Sequence, residues 1–311
     1  MKKEFPQISW NTAVEAQCRQ LVRLAVDEDL GDAGDLTTRA LVPEDAVGGA
    51  ALIARQDAIV CGLPAVEVAL EFYDPRLEWT AEKKDGAHVE RGELLGVIEG
   101  PVHALLMAER VALNLLGRLS GVATLTARYV ERIAGTKAHV YDTRKTTPGW
   151  RLLEKYAVGQ GGGRNHRPGL YGAVLIKDNH LAFGKTDIGD SAGRYSPGEA
   201  VDRVKHFLRT LVPVESRRLV LVEVEVDTLE QLDEVLPHRP DLILLDNMPP
   251  EMLREAVRRR DAAAAEVELE ASGGISLETI RAVAETGVER ISVGALTHSA
   301  VNMDVGLDWL S

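Results

Sequence analysis

Two kinds of hydrophobic pattern divide the chain. From about residue 48 to 103 the apolar positions come in short β-type runs, "GAALIARQDAIVCG" and "LEWTAEKKDGAHVERGELLGVIEG", broken by glycines at 86, 92, 96 and 100. Between them "LPAVEVALEFYD" reads as a helix. Residues 1 to about 30 form a helix-containing entry segment, with apolar points at Val14, Leu21, Leu24 and Val26. The polar loop "EDLGDAGDLTT", Glu28 to Thr38, follows it. A long helical pattern starts near Val102. Its stretch "ALLMAERVALNLLGRLSGVATLTARYVERIAG" is apolar on more than one face, which predicts extensive burial and a boundary between two domains.

After Ala134 short apolar strands alternate with helical stretches. The strands are "KAHVYDT", "GAVLIKD", "RLVLVEVEV", "LILLD", "VELEASGG" and "RISVGAL". Runs this apolar suit a parallel sheet covered on both faces. Helix starts are legible as well: Ser196-Pro197-Gly198-Glu199 offers a capping serine, a first-turn proline and a third-position glutamate. Thr228 with Gln231 is a second capping-box candidate. The strand–helix repeat argues for an α/β barrel or a doubly wound sheet.

The C-terminal tip of each strand carries polar residues or glycine: Asp142, Arg144 and Lys145; Lys177, Asp178 and Asn179; Glu225; Asp246 and Asn247; Ser272, Gly273 and Gly274; Gly294. In α/β barrels those tips form the active-site face. "SGGIS" follows a strand and is expected to open a helix, where free backbone amides hold phosphate; "VGALTHS" repeats the arrangement. Glu225 and Asp246 are placed to hold Mg²⁺ beside a phosphate ligand. Spacing alone leaves two other roles open: an ion pair with a lysine for Glu225, and a helix N-cap for Asp246. No nucleophile with a base partner stands out, which points to electrostatic chemistry.

Charge sharpens this reading. The 311 residues carry a formal net charge of −12, yet the stretch from Asp142 to His180 holds seven Lys/Arg against three acids. A cationic island in an acidic chain suits a small anion and argues against nucleic acid or an anionic membrane. Arg144, Lys145, Arg167 and Lys177, at strand tips or beside the glycines of "GGGRNHR", are the functional candidates, whereas Arg151 and Lys155 read as a solvated helix face. The two cysteines, Cys18 and Cys61, lack metal-type spacing and read as free thiols in a reducing cytoplasm. There is no signal-peptide pattern and no stretch long enough to span a membrane.

The stretch "DTRKTTPGWRLLEKYAVGQGGGRNHRPGLYGAVLIKDNH" closely resembles the quinolinate phosphoribosyltransferases, also called carboxylating nicotinate-nucleotide pyrophosphorylases. So do "GDLTT", "AERVALNLLGRLSG", "VEVEVDTLEQLDEVL", "LILLDNM", "LEASGGISLETI" and "VGALTHSA". The resemblance implies an N-terminal α/β sandwich domain, here residues 1–115, and an incomplete TIM-like α/β barrel over 116–297, with the tail 298–311 packing back on the first domain. It implies transfer of a phosphoribosyl group from phosphoribosyl pyrophosphate to quinolinate with Mg²⁺. The products are nicotinate mononucleotide, pyrophosphate and CO₂, on the route to NAD. It further implies a cytoplasmic homodimer with shared sites.

By the same resemblance Arg144, His166, Arg167 and Lys177 contact the quinolinate carboxylates, and Arg110 reaches across the dimer. Lys145 and Lys177 face the pyrophosphate. Glu225 and Asp246 lie near metal and ribose, and Ser272, Gly273, Gly274, Gly294 and Ala295 cradle the 5′-phosphate. The chain departs from the family pattern in a longer loop over 182–199. Two rival readings remain open: a relative acting on another base such as nicotinate, and a non-catalytic phosphate-ligand sensor.

Overall fold

The computed structural model describes residues 3–184, 194–217 and 219–310; half of the long loop, 185–193, lies outside them. The chain divides into two compact units. One comprises Gln7–Arg128, Lys145–Gly163 and Ala295–Ser311, the other Met1–Pro6, Tyr129–Arg144 and Arg164–Gly294.

The first unit opens with the helix Thr12–Leu30, capped by Asn11, whose side chain accepts the amides of Ala13 and Val14. Strands β1 (Val47–Ala54), β2 (Ala58–Ile59), β3 (Glu78–Ala81), β4 (His88–Val89) and β5 (Leu94–Pro101) follow, with the helix Leu63–Tyr73 between β2 and β3. β1 pairs antiparallel with β5, and β5 with β3; β2 and β4 form a separate ribbon. The helix Val102–Arg132 runs 31 residues without a break. Leu105, Leu116, Leu119 and Val122 on it are fully buried, as the two-faced apolar pattern predicts.

The second unit is a six-stranded, all-parallel sheet of β6 (His139–Tyr141), β7 (Val174–Ile176), β8 (Val222–Val226), β9 (Leu242–Asp246), β10 (Glu268–Ser272) and β11 (Arg290–Ser292). All six coincide with the apolar runs. Their spatial order is β6-β11-β10-β9-β8-β7, which is barrel order left open between β6 and β7. The segment "RNHRPGLYG" bridges that opening. Arg164 pairs with Tyr141 in an isolated parallel bridge on the edge of β6, and Val174 starts β7 ten residues later.

The start of the chain closes one end of this sheet. Phe5 joins Tyr141, Ala173, Leu221 and Leu242 in a buried cluster. Lys3 donates to Asp241 and to Val220 O, and Glu4 accepts from Arg290 and from the Tyr141 hydroxyl. Ser196 and Glu199 cap the helix Pro197–Leu211 reciprocally. At Thr228 only half the box forms, because the Gln231 side chain accepts the amide of Asp227 instead. The last strand, β12 (Val305–Trp309), pairs antiparallel with β1 in the first unit.

Candidate active site

Parallel pairing places every strand's C-terminus at one rim of the second unit. Arg144, Lys177, Glu225, Asp246, Ser272, Gly273, Gly274 and Gly294 all lie at that rim. Ser272 stands directly opposite Asp246 in the ladder. Lys177 forms an ion pair with Glu225, whose side chain is 11% exposed. Asp246 accepts a hydrogen bond from the Asn247 side chain at 2.7 Å. It is not a helix cap, since the next helix begins at Pro250 after an N-cap at Pro249.

The phosphate-type loop is built differently from the expected strand-to-helix turn. The helix after "SGGIS" begins at Ile280. Its first turn is anchored at Ser276, whose hydroxyl accepts the Glu278 amide and whose carbonyl accepts the Ile280 amide. Thr279 is the N-cap, and Gly273 and Gly274 form a left-handed turn well ahead of it, with φ of 95° and 60°. A Cβ on Gly273 would sit 2.1 Å from Asn247 Oδ1, so glycine is required on steric grounds too.

Lys145, Arg110 and Ala295 belong to the other unit, by the same division. Lys145 is exposed, and its carbonyl accepts the Thr297 hydroxyl at 2.8 Å. Arg110 is exposed on the long helix. Gly34, Asp35 and Thr38 of "GDLTT" line a cavity of about 450 Å³ in that unit, together with Arg39, His103 and Met107. Lys155, expected on a solvated face, is fully buried; Arg151 is half-buried and donates to the Thr146 hydroxyl. A spacing of four shows that two residues share a helix face but does not say which way that face looks.

The "GGGRNHR" stretch combines two devices. Gly162 takes a positive φ of 83°. Gly161 and Gly163 instead make room: a Cβ on either would lie 2.7 Å or less from the backbone or side chains of Ala123 and Thr126. Beyond them the chain enters the barrel opening, where Asp142 accepts from the Asn165 side chain and the His166 amide, both at 2.8 Å.

Arg167 is 6% exposed. Burial first, and then the positive charge of Arg144, push its guanidinium below its ordinary pKa. It spends one donor on Ala173 O at 3.2 Å. Two cations pressed together in a dry setting favour an anion between them, and the planar guanidinium matches a carboxylate.

His166 turns away from the rim. Its ring stacks on Phe5 with centroids 4.2 Å apart. Nε2 lies 3.2 Å from Glu223 and 3.4 Å from Glu270, both fully buried. Neither pair has the alignment of a good hydrogen bond, and Ser292 is a further polar side chain that draws Glu270 down. Burial, then the charge of Glu270, push Glu223 up; Glu270 is held low against its own burial by the ring beside it.

The spacing of these three groups is that of metal ligands. The other ring nitrogen argues against a metal. The Arg167 amide donates to Nδ1 at 2.8 Å, so Nδ1 keeps its lone pair and the neutral ring's proton sits on Nε2, where a metal would bind. Burial opposes charge on the ring, and the two carboxylates more than offset it, drawing its pKa up to about 10. The heavy-atom geometry decides the opposite way, because two N–H groups do not fit head to head at 2.8 Å. Glu223 and Glu270 were missed as candidates, yet the signal was present. In "VEVEV" the period of two puts Glu223 on the same face as Glu225, and in "ELEAS" it puts Glu270 with Ser272.

Comparison with known proteins places the whole chain in one family. A family profile described as quinolinate phosphoribosyl transferase, C-terminal domain, matches residues 122–308, and its N-terminal counterpart matches 35–120. The chain belongs to the quinolinate phosphoribosyltransferase family. It is 43% identical over 297 residues to the carboxylating nicotinate-nucleotide pyrophosphorylase of Mycobacterium leprae, covering 93% of this chain and 96% of that one. It is 38% identical to a probable enzyme of the same name from Bacillus subtilis, covering 94% and 93%. The solved nicotinate-nucleotide pyrophosphorylase of Francisella tularensis superposes with a TM-score of 0.86 at 34% identity, covering 99% and 100%. No helix among the described residues is long and apolar enough to cross a membrane.

Proposed function

We propose that this chain joins quinolinate to phosphoribosyl pyrophosphate, releasing pyrophosphate and CO₂ and forming nicotinate mononucleotide. The observation that carries the reading is the convergence at one rim of Arg144, Lys177, Glu225 and Asp246 with a left-handed glycine turn, Arg167 lying close enough to Arg144 to feel its charge. Arg144, Arg167 and Lys177 hold the dicarboxylate. Ser272, Gly273 and Gly274, with Gly294 and Ala295, take the 5′-phosphate. Lys145 faces the pyrophosphate, and Arg110 completes the site of a partner subunit in a homodimer.

Glu225 and Asp246 suit Mg²⁺. Both are hard oxygen donors, and Lys177 engages one Glu225 oxygen, leaving the other available. Held by these two carboxylates, Mg²⁺ would supply positive charge to offset that of the leaving pyrophosphate. The remaining chemistry falls to the chain. Cations at the rim orient the pyridine nitrogen toward the ribose carbon as the bond to pyrophosphate breaks. Once the ring nitrogen is cationic, the adjacent carboxylate leaves as CO₂ and the electron pair stays beside the positive nitrogen until a proton arrives.

The test is turnover with quinolinate, phosphoribosyl pyrophosphate and Mg²⁺, read by mass, with nicotinate in parallel. Product from quinolinate alone supports the reading; product from nicotinate alone overturns its dicarboxylate half; none from either overturns it entirely. Mixed dimers of Arg110→Ala and Lys145→Ala subunits are expected to regain activity that neither variant has alone.

A further inference from the structure

Asn247 follows Asp246 at the end of β9 and takes a positive φ of 53°, one of two non-glycine residues to do so among the described residues. Its amide donates to Ser272 O at 2.9 Å, one step beyond the β9–β10 ladder, and the next residue, Met248, is buried. The chain thus leaves the strand for the helix at Pro250 through a left-handed residue. Glycine makes such a turn freely, whereas asparagine only tolerates it. The reason for a side chain here lies in what that side chain touches. Nδ2 donates to Asp246 Oδ2 at 2.7 Å. A carboxylate oxygen only accepts, so the amide nitrogen faces Asp246 and Oδ1 faces the other way. Oδ1 lies where a side chain on Gly273 would begin, 2.1 Å from a Cβ built there.

We propose that Asn247 is a positioning residue for phosphoribosyl pyrophosphate, its one side chain both holding the Asp246 carboxylate and wedging the Gly273–Gly274 turn. This rests on the function proposed above. The hydrogen bond takes one Asp246 oxygen, fixes the rotation of the carboxylate and leaves the other oxygen for Mg²⁺. Gly273 and Gly274 have no Cβ to restrain them, and the amide group seated against Gly273 limits their freedom from outside. Both contacts come from one planar group, so the carboxylate end and the 5′-phosphate end of the site are set together. Asn247 acts through Asp246 and the turn, not on the ligand.

Calorimetry tests this, with phosphoribosyl pyrophosphate, ribose 5-phosphate and quinolinate each titrated into wild type, Asn247→Gly and Asn247→Ala. The Gly variant removes the side chain without straining the backbone. With Mg²⁺, it is expected to bind phosphoribosyl pyrophosphate about tenfold more weakly, with quinolinate binding changed by less than about twofold. Ribose 5-phosphate, which lacks the diphosphate and so takes no help from the ion, should lose about threefold. With EDTA in place of Mg²⁺ the loss for phosphoribosyl pyrophosphate should shrink to about threefold as well, because Asp246 then has no ion to hold. Wild-type affinity in the Gly variant, with loss only in the Ala variant, assigns Asn247 to the turn alone and overturns the proposal. Equal weakening of quinolinate binding overturns it too. A loss for phosphoribosyl pyrophosphate that EDTA leaves unchanged overturns the Asp246 half, and unaltered ribose 5-phosphate binding overturns the wedge. Wild-type protein that neither binds nor turns over phosphoribosyl pyrophosphate overturns the proposed function and this inference with it; an active wild type with an unaffected Gly variant overturns this inference alone.

Discussion

Glu154 in the first unit and Glu223 in the second are both wholly buried carboxylates, and they are treated in opposite ways. Glu154 accepts from Arg118 Nη2 at 2.6 Å, from the Thr147 amide at 3.0 Å and from the Thr147 hydroxyl at 2.9 Å. Its charge is fully compensated, and it ties a loop to the long helix. Glu223 has one ring edge, poorly aligned, and a second carboxylate for company. A compensated buried charge builds structure, whereas one with few donors is held at a cost in stability.

The largest expected effect is at the compensated site. Glu154→Leu leaves the Arg118 guanidinium without its carboxylate and should cost about 3–5 kcal/mol in urea unfolding. Glu223→Gln should do the reverse, leaving stability unchanged or raised, because it relieves repulsion from Glu270. A loss comparable to that of Glu154→Leu would erase the contrast.

Glu289 offers a third carboxylate on the compensated side. Burial raises its pKa, but hydrogen bonds from Arg260, Lys137 and the Leu269 amide outweigh this and take it to about 2. With a folded value below the unfolded one, its stabilisation is full above about pH 4.5 and is lost as pH falls toward about 2. Glu289→Gln should therefore cost about 3 kcal/mol at pH 7, and the gap to wild type should narrow with acidification below pH 4.5. A gap independent of pH would show that packing, not charge, holds this site.

Arg167→Ala tests the other side of the comparison. Quinolinate binding should fall about 100-fold, in line with loss of a charge-assisted contact, while the urea midpoint moves little. A large stability loss would make Arg167 a structural cation like Arg118. Gly273→Ala is the mildest: the Cβ must displace Asn247, and affinity for phosphoribosyl pyrophosphate should weaken about tenfold with quinolinate binding retained.

How much of this was legible beforehand differs from element to element. The six barrel strands and the polar residues at their tips were readable, because strand length and turn chemistry are local. "VEVEV" and "ELEAS" also encoded the inward glutamates, but only to a reader who already knew which face looks into the barrel. Lys155 was misjudged for the same reason. The helix after "SGGIS" starts later than expected, at Ile280 with Thr279 as its N-cap, because the residues from Ser276 to Thr279 form a turn first.

The sequence by itself determined the family, the strand–helix order and the residue types gathered at one rim. Periodicity, capping and turn preferences act over a few residues, and they suffice for that. Only the tertiary structure decided that "RNHR" spans the open side of the sheet, that His166 turns inward onto Phe5, and that Glu223 and Glu270 meet there. An irregular segment has no repeat from which to read a direction. Its side chains are aimed by contacts with residues far away in the chain, and those contacts exist only once the barrel has formed.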